Sequence, residues 1–369
     1  MCEIRIQNLQ KRFADFTAVR GSSLVLEKGK FVVLLGPSGC GKTTTLRMIA
    51  GLEYPTGGSI TLDGQDVTYL RPRERDIAMV FQLFALYPHM GVRGNLEFPL
   101  RNEGVPRAEI RQRVDEVAAI LRIEHLLDSR INGLASGDRQ RVALGRAIVR
   151  QPKAFLMDEP LGTLDAEFRE LMCVELRKLH DRLKTTTVFV THDQNEAMAL
   201  ADHIVVMNDG EILQADDPHG IYSFPSCLFV ARFIGRPPMN LLPAQAPVAR
   251  YDTSVRIAHR NLLVPTTQAA CASVVVGVRP EHVRLCGADQ GSLGGRVQHV
   301  EYFGSHWVAE VQTDAGVVKV LADKSVRPVL QERVGLDFET ERVVLFDAAT
   351  ERLLPSATTI RHQPGMRHG

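Results

Sequence analysis

The run Gly36-Pro37-Ser38-Gly39-Cys40-Gly41-Lys42-Thr43 carries the spacing G-x-x-x-x-G-K-[ST]. Between a buried strand and a helix, that spacing makes a P-loop, a backbone cradle for phosphates. The glycines let successive N–H groups curl around the anion. The helix that starts at Lys42 aims its positive dipole end at the same place. Lys42 then reaches the β- and γ-phosphates, and the Thr43 hydroxyl faces a Mg2+ ion. Cys40 sits at a variable position of the motif and reads as incidental.

Two further groups point to the same chemistry. Ala154-Phe155-Leu156-Met157 is an apolar run that ends in Asp158-Glu159. Buried strands ending in acids are common, so this pattern is weak alone. Downstream of a P-loop it reads as a Walker B strand, with its acids at the carboxyl end where ligands of open α/β sheets bind. Asp158 would hold Mg2+ through water, and Glu159 would polarise the attacking water. Thr191-His192-Asp193 follows the strand pattern of residues 187–190. A lone His at a strand end is usually a satisfied structural residue. In one sheet with the other two motifs, His192 reaches the γ-phosphate and positions the attacking water.

The elements that must place these residues alternate. Strand patterns cover residues 31–35, 77–81, 154–157, 187–190 and 204–207, and helical periodicity covers 43–52, 107–127, 139–150 and 167–183. Alternation of this kind predicts an α/β domain. The apolar stripe of 167–183 reads as core and carries no functional weight. Near Gly235-Arg236-Pro237-Pro238 the character changes. Short β patterns follow at 273–278, 283–285, 296–302, 307–311, 317–321 and 343–346, a small all-β barrel or sandwich. Trp307 reads as core, and residues 361–369 as a frayed tail.

Composition narrows the class. A chain of 369 residues suggests two or three domains. With 44% hydrophobic and 24% charged residues it is neither collagen-like nor broadly disordered. Lys plus Arg number 44 against 43 Asp plus Glu, so no long-range field draws it to nucleic acid or anionic lipid. From Asn240 onward the balance is 14 to 13 with no basic run among aromatics, which argues against nucleic-acid binding by the β domain. The six cysteines form no CxxC pair and have no zinc spacing, so free thiols in a reducing compartment are expected. No apolar run is long enough to cross a bilayer, and the first residues lack the apolar core of a signal peptide. The expectation is a soluble cytoplasmic chain, held at any membrane by other proteins.

Taken in order, these motifs resemble the ATPase subunit of ABC transporters. Phe13 matches the family's A-loop aromatic, which stacks on adenine, and Gln82 matches the Q-loop, which touches Mg2+ and senses the membrane subunits. Arg139 to Ala147 resembles the helix after the signature, Leu161 to Asp165 the D-loop region, and Asn195-Glu196-Ala197-Met198 the continuation of the His192 switch. Phe84 to Met90, Phe233-Ile234-Gly235, Pro238-Met239-Asn240, Gly277 to His282 and Leu345-Phe346-Asp347 are similar to the importer branch of the maltose, glycerol-3-phosphate and trehalose ATPases, the MalK/UgpC type.

The resemblance implies a P-loop ABC ATPase domain over residues 1–235, with a helical insert at about 84–140. An OB-like (TOBE/MOP-type) regulatory and dimerisation domain follows over 236–369. It implies ATP and Mg2+ as cofactors. The phosphate-binding run extends through Thr44, the metal set is Thr43, Gln82 and Asp158, and the catalytic pair is Glu159 and His192. It implies a peripheral subunit on the cytoplasmic face of the inner (cell) membrane. Its partners are a second copy, two transmembrane permease subunits and an external solute-binding protein. Each ATP is sandwiched between the P-loop of one copy and the signature of the other. The expected function is ATP hydrolysis coupled to uptake of a carbohydrate or sn-glycerol 3-phosphate. An importer for an anion or polyamine, or a catalytically weakened regulatory subunit, are the alternatives. A heterodimer with a second ATPase subunit is the alternative to two copies of this chain.

Two departures bear on rate. The family signature L-S-G-G-Q is here Leu134-Ala135-Ser136-Gly137-Asp138, and the D-loop, which normally begins with serine, reads Gly162-Thr163-Leu164-Asp165. Ala135 lacks the hydroxyl that bonds the γ-phosphate across the dimer. Ser136 replaces a glycine and offers a hydroxyl one position on. Asp138 brings a negative charge to a helix N-terminus, which favours the helix but repels phosphate if it faces inward.

Overall fold

The computed structural model describes residues 2–81, 86–150, 152–162 and 164–359. Their contacts divide the chain into two units, one ending at Pro218 and one beginning at His219, upstream of the composition change at Gly235.

The first unit runs β1 (Ile4–Phe13), β2 (Phe16–Leu26), β3 (Phe31–Leu35), α1 (Lys42–Ala50), β4 (Gly57–Leu62), β5 (Gln65–Asp66), β6 (Ile77–Val80), α2 (Val92–Asn102), α3 (Arg107–Leu121), α4 (Ser136–Ile148), β7 (Ala154–Asp158), α5 (Ala166–Leu183), β8 (Thr186–Thr191), α6 (Gln194–Leu200), β9 (His203–Asn208) and β10 (Glu211–Asp216). One sheet has the order β10-β9-β3-β8-β7-β6. It is parallel from β9 to β6, with β10 antiparallel at the edge. The second sheet, β2-β1-β4-β5, is antiparallel.

The apolar runs explain the parallel sheet. All residues of β3, β7 and β8 are buried, because strands covered on both faces read as continuous apolar segments. Alternate side chains then serve two cores. Val32, Leu34, Leu156, Val188 and Val190 join β1, β2, β4 and α1 in one. Phe31, Phe155 and Met157 face α5, where they meet Leu176, Leu179 and His180.

Local chemistry sets the helix ends. The Asp165 carboxylate accepts the Phe168 N–H and starts α5, and Asp193 accepts the Asn195 and Glu196 N–H groups and starts α6. The expected helix over 107–127 stops at Leu121, because Arg122 adopts a left-handed conformation (φ 54°) and a 3-10 turn follows. The helix expected from residue 139 begins at Ser136, inside the signature run.

The second unit holds α7 (Pro218–Ser223) from His219 onward, α8 (Leu228–Phe233), β11 (Asn240–Pro243), β12 (Ser254–Ile257), β13 (Arg260–Leu263), β14 (Val274–Val278), β15 (Val283–Cys286), β16 (Leu293–Tyr302), β17 (His306–Thr313), β18 (Gly316–Asp323), β19 (Arg333–Phe338) and β20 (Val344–Asp347). Its sheets are antiparallel, in the orders β11-β14-β20, β12-β13 and β15-β19-β16-β17-β18. The edge strands β15 and β18 touch, so the five-stranded sheet nearly closes on itself. It surrounds a valine-rich core that includes Val276, Val297, Val311, Val318 and Leu336. This is the small barrel-like β unit the sequence predicts.

Candidate active site

The P-loop is the turn between β3 and α1, and two of its glycines, Gly36 and Gly41, are there for space. A Cβ on Gly36 would lie 2.2 Å from the Met207 carbonyl oxygen of β9. Gly41 caps α1 at φ 101°, where a Cβ would meet the Ala18 carbonyl oxygen at 2.4 Å. The loop is thus pressed between β9 and β2, and no bulkier residue keeps its course. The buried Lys42 folds back over the loop, its Nζ donating to the carbonyls of Gly36 and Pro37 at 2.8 Å each. Burial pushes the Cys40 thiol upward against the pull of the Lys42 ammonium, as befits a packing residue.

Strand register brings the other motifs to the same sheet edge. Leu35 of β3 pairs with Thr191 of β8, and Val190 of β8 pairs with Asp158 of β7. The P-loop, the acids and His192 therefore leave neighbouring strands at one level. The Thr43 hydroxyl donates to Asp158 Oδ1 at 2.8 Å. Asp158 is 3% exposed. Burial, the larger effect, raises its carboxyl above the usual range, and the Thr43 hydrogen bond opposes the rise. Glu159 turns out of the strand at φ 46°, its N–H held by the Val190 carbonyl at 3.0 Å. Its Oε1 lies 3.3 Å from His192 Nδ1.

Phe13 lies at the tip of the β1–β2 hairpin, paired with Phe16. Phe13 is 42% exposed. Because β2 passes Gly41 at Ala18, the same hairpin borders the P-loop. Gln82 and Thr163 lie outside the described residues.

The signature run enters α4. Ala135 caps the helix in extended conformation without a side-chain hydrogen bond, and Ser136 is its first residue. Both are exposed. Asp138 pairs with the Arg141 guanidinium, which also donates to the Arg122 carbonyl and stacks 4.7 Å over the Phe168 ring. The Asp138 charge is therefore already countered. Leu134 precedes the cap, and Gly137 packs against Leu164, with room for a Cβ only at 3.2 Å.

Arg169 of α5 escapes a sequence reading. Its Nη2 donates to the Leu164 carbonyl at 2.9 Å, its Nη1 to Asp193 at 3.4 Å, and its Nε lies 3.5 Å from Glu196. Glu196 in turn accepts the Thr191 hydroxyl at 2.6 Å. The network ties the segment after Glu159 to the turn that carries His192. No local pattern signals it, because its members meet only when α5 and α6 pack.

The donor set suits Mg2+. Thr43 and Asp158 offer two oxygens in contact, of the hard type the ion prefers. Among the described residues no cluster of three or more His, Cys, Asp or Glu side chains is set to hold a metal. A cation here would complete its shell with phosphate and water, as Mg2+ commonly does.

Comparison with known proteins agrees with this geometry. The ABC transporter family matches residues 19–162, and the TOBE domain family matches 276–346. The sn-glycerol-3-phosphate import ATP-binding protein UgpC 3 of Rhizobium etli is 46% identical over 91% of this chain and 94% of its own. The lactose transport ATP-binding protein LacK of Rhizobium radiobacter is 43% identical over 96% and 100%. Among solved structures, the dimeric MJ0796 ABC transporter cassette is 32% identical over 58% of this chain and 98% of its own, at a TM-score of 0.55. The same cassette in a post-hydrolysis state with ADP and Pi is 31% identical at 0.54. With a P-loop, an acidic strand end and a histidine at one sheet edge, and with such relatives along nearly its whole length, the chain belongs to the ATP-hydrolysing, ATP-binding subunits of ABC transporters.

Proposed function

We propose that this subunit drives import of a carbohydrate or sn-glycerol 3-phosphate, through permease partners that cross the membrane for it. One observation carries the reading of the site: Lys42, the Thr43–Asp158 pair and the Glu159–His192 pair stand together where β3, β7 and β8 end. Lys42 and the P-loop N–H groups hold the β- and γ-phosphates of ATP. Thr43 and Asp158 hold Mg2+, with Gln82 as a further ligand. The bound ion supplies charge neutralisation on the phosphates. Glu159 accepts a proton from the attacking water, and His192, 3.3 Å away, holds Glu159 and the γ-phosphate in line. Phe13 stacks on the adenine. The Ala135–Asp138 end of α4 completes the site of a second copy.

Relatives named for glycerol phosphate, lactose and sulfoquinovosyl glycerol transport support the solute class. A groove of about 360 Å3 supports the permease contact. Met79, Tyr87 and Phe98 line it together with Asn102, Glu103, Arg146 and Arg150, so it fits a helix that presents both apolar and charged side chains. No described helix is long and apolar enough to cross a membrane itself. Such a subunit works at the cytoplasmic face of the membrane, as a dimer.

Glu159→Gln tests the assignment. ATP turnover of the full chain should fall at least about 100-fold, the usual share of a general base, while ATP binding persists. Wild-type turnover in that variant would remove Glu159 from the reaction. A second reading, a working but slowed site, is favoured by Ala135, whose methyl offers the γ-phosphate no hydrogen bond.

A further inference from the structure

Phe13 does not stand alone on its strand. Lys11 shares its face of β1, two residues before, and is only 8% exposed. Its ammonium lies 4.8 Å from the centre of the Phe13 ring. It also donates to Glu53 Oε1 at 2.6 Å and to the Tyr54 carbonyl at 2.7 Å. Glu53 and Tyr54 belong to the turn that follows α1, where Gly51 adopts φ 74° and the Leu52 and Glu53 N–H groups return to the Arg47 carbonyl. Lys11 thus ties the strand that carries Phe13 to the far end of the P-loop helix. An ammonium buried this deeply keeps its place only where its donors are met. The Glu53 carboxylate, the Tyr54 carbonyl and the ring face meet them from three sides.

From this geometry we infer that Lys11 is a positioning residue for nucleotide recognition. It holds one face of the Phe13 ring by a cation–π contact, and so fixes the exposed part for stacking on the base. It also sets the distance between base stacking and phosphate cradle, because its anchor is the turn that ends α1. A ring left to rotate must be ordered when ATP arrives, which weakens binding of the base but not of the phosphates. The inference rests on the reading of Phe13 as the stacking residue.

The experiment measures binding of ATP and of inorganic tripolyphosphate to the full chain, by competition against a fluorescent nucleotide, for the wild type, Lys11→Met, Phe13→Ala and the double variant. Lys11→Met should weaken ATP about tenfold and leave tripolyphosphate within about twofold. The double variant should bind ATP no worse than Phe13→Ala alone, because both changes remove the same ordered ring. Equal losses for ATP and tripolyphosphate would show a general packing role and overturn the inference. So would unchanged ATP affinity in Lys11→Met, or additive losses in the double variant. If Phe13→Ala itself leaves ATP binding unchanged, the reading of Phe13 fails and the inference goes with it. Should Lys11→Met not fold, Glu53→Gln loosens the same anchor while keeping the strand intact. A smaller loss with the same selectivity for ATP is then expected, and a loss shared by tripolyphosphate, or none, overturns it.

Discussion

Ala135→Ser should raise ATP turnover in the assembled transporter. Ala135 is exposed and extended, directly before α4, so a serine hydroxyl fits without displacing a neighbour. It would restore a donor to the γ-phosphate held by the other copy. A hydrogen bond to a charged group is worth roughly 1.5–3 kcal/mol, which is about 10- to 150-fold if spent wholly in the transition state. The structure argues for the lower part of that range. The α4 N-terminus has no side-chain cap, so the new hydroxyl divides its time between the phosphate and the N–H groups of its own first turn. Asp138 is not the main obstacle, because Arg141 already pairs with it. Asp138→Gln should therefore change turnover by no more than about threefold, in line with the small worth of a partly exposed pair. The assay is ATP turnover at saturating ATP with permease present, beside a thermal melt that separates rate from folding. Turnover that stays level or falls in well-folded Ala135→Ser would refute the reasoning. A larger gain from Asp138→Gln than from Ala135→Ser would refute it too, and would move the defect from the missing hydroxyl to the added charge.

Asp158→Asn should stabilise the nucleotide-free protein at neutral pH while lowering turnover. Burial raises the Asp158 carboxyl, so its contribution to stability is full below the ordinary value of 3.8 and is lost as pH rises through the raised one. Asn keeps an acceptor for Thr43 without the charge, so its melting temperature should exceed the wild type's at pH 7, and the gap should narrow as pH falls. A lower melt at pH 7 would contradict this. In the second unit, Arg279 is buried and donates to the carbonyls of Tyr222, Ala231 and Ile234 at the ends of α7 and α8. Arg279→Met should cost about 3 kcal/mol or more of that unit's stability in denaturant unfolding, since several buried acceptors lose their donor. A loss under about 1 kcal/mol would mean that the helix ends find other partners.

What could be read from sequence divides by how local the cause is. The P-loop, the acids of β7 and the strand before His192 were legible because each is a run of neighbours whose chemistry depends on its own strand and turn. Phe13 and the signature needed resemblance, since an aromatic near a hairpin tip or a small-residue turn has no single meaning alone. The long α/β elements were legible from apolar runs and helical stripes. The antiparallel sheet of β1, β2 and β4 was not, because bulges shift its register and break the alternation that would reveal it. In the second unit β19 was hidden too. Val334, Leu336 and Phe338 alternate as a half-buried strand requires, but Gly335, a residue that weakens strands, stands in the middle of the short run.

The signature departure shows where local reading stops and packing takes over. From sequence, Asp138 is a charge at a helix N-terminus, and its effect turns on which way it faces. The structure answers through Arg141, three residues on, which sits beside it on the helix surface as that spacing requires. Arg141 is in turn held by the Phe168 ring and the Arg122 carbonyl, groups that no sequence spacing connects to it. The pair is therefore anchored by α5 and by the end of α3, not by α4 alone. Of the three changes in the signature, Asp138 has a partner for its charge and Ser136 adds a hydroxyl, whereas the hydroxyl lost at Ala135 is not replaced at its own position, so a slowed site traces to Ala135.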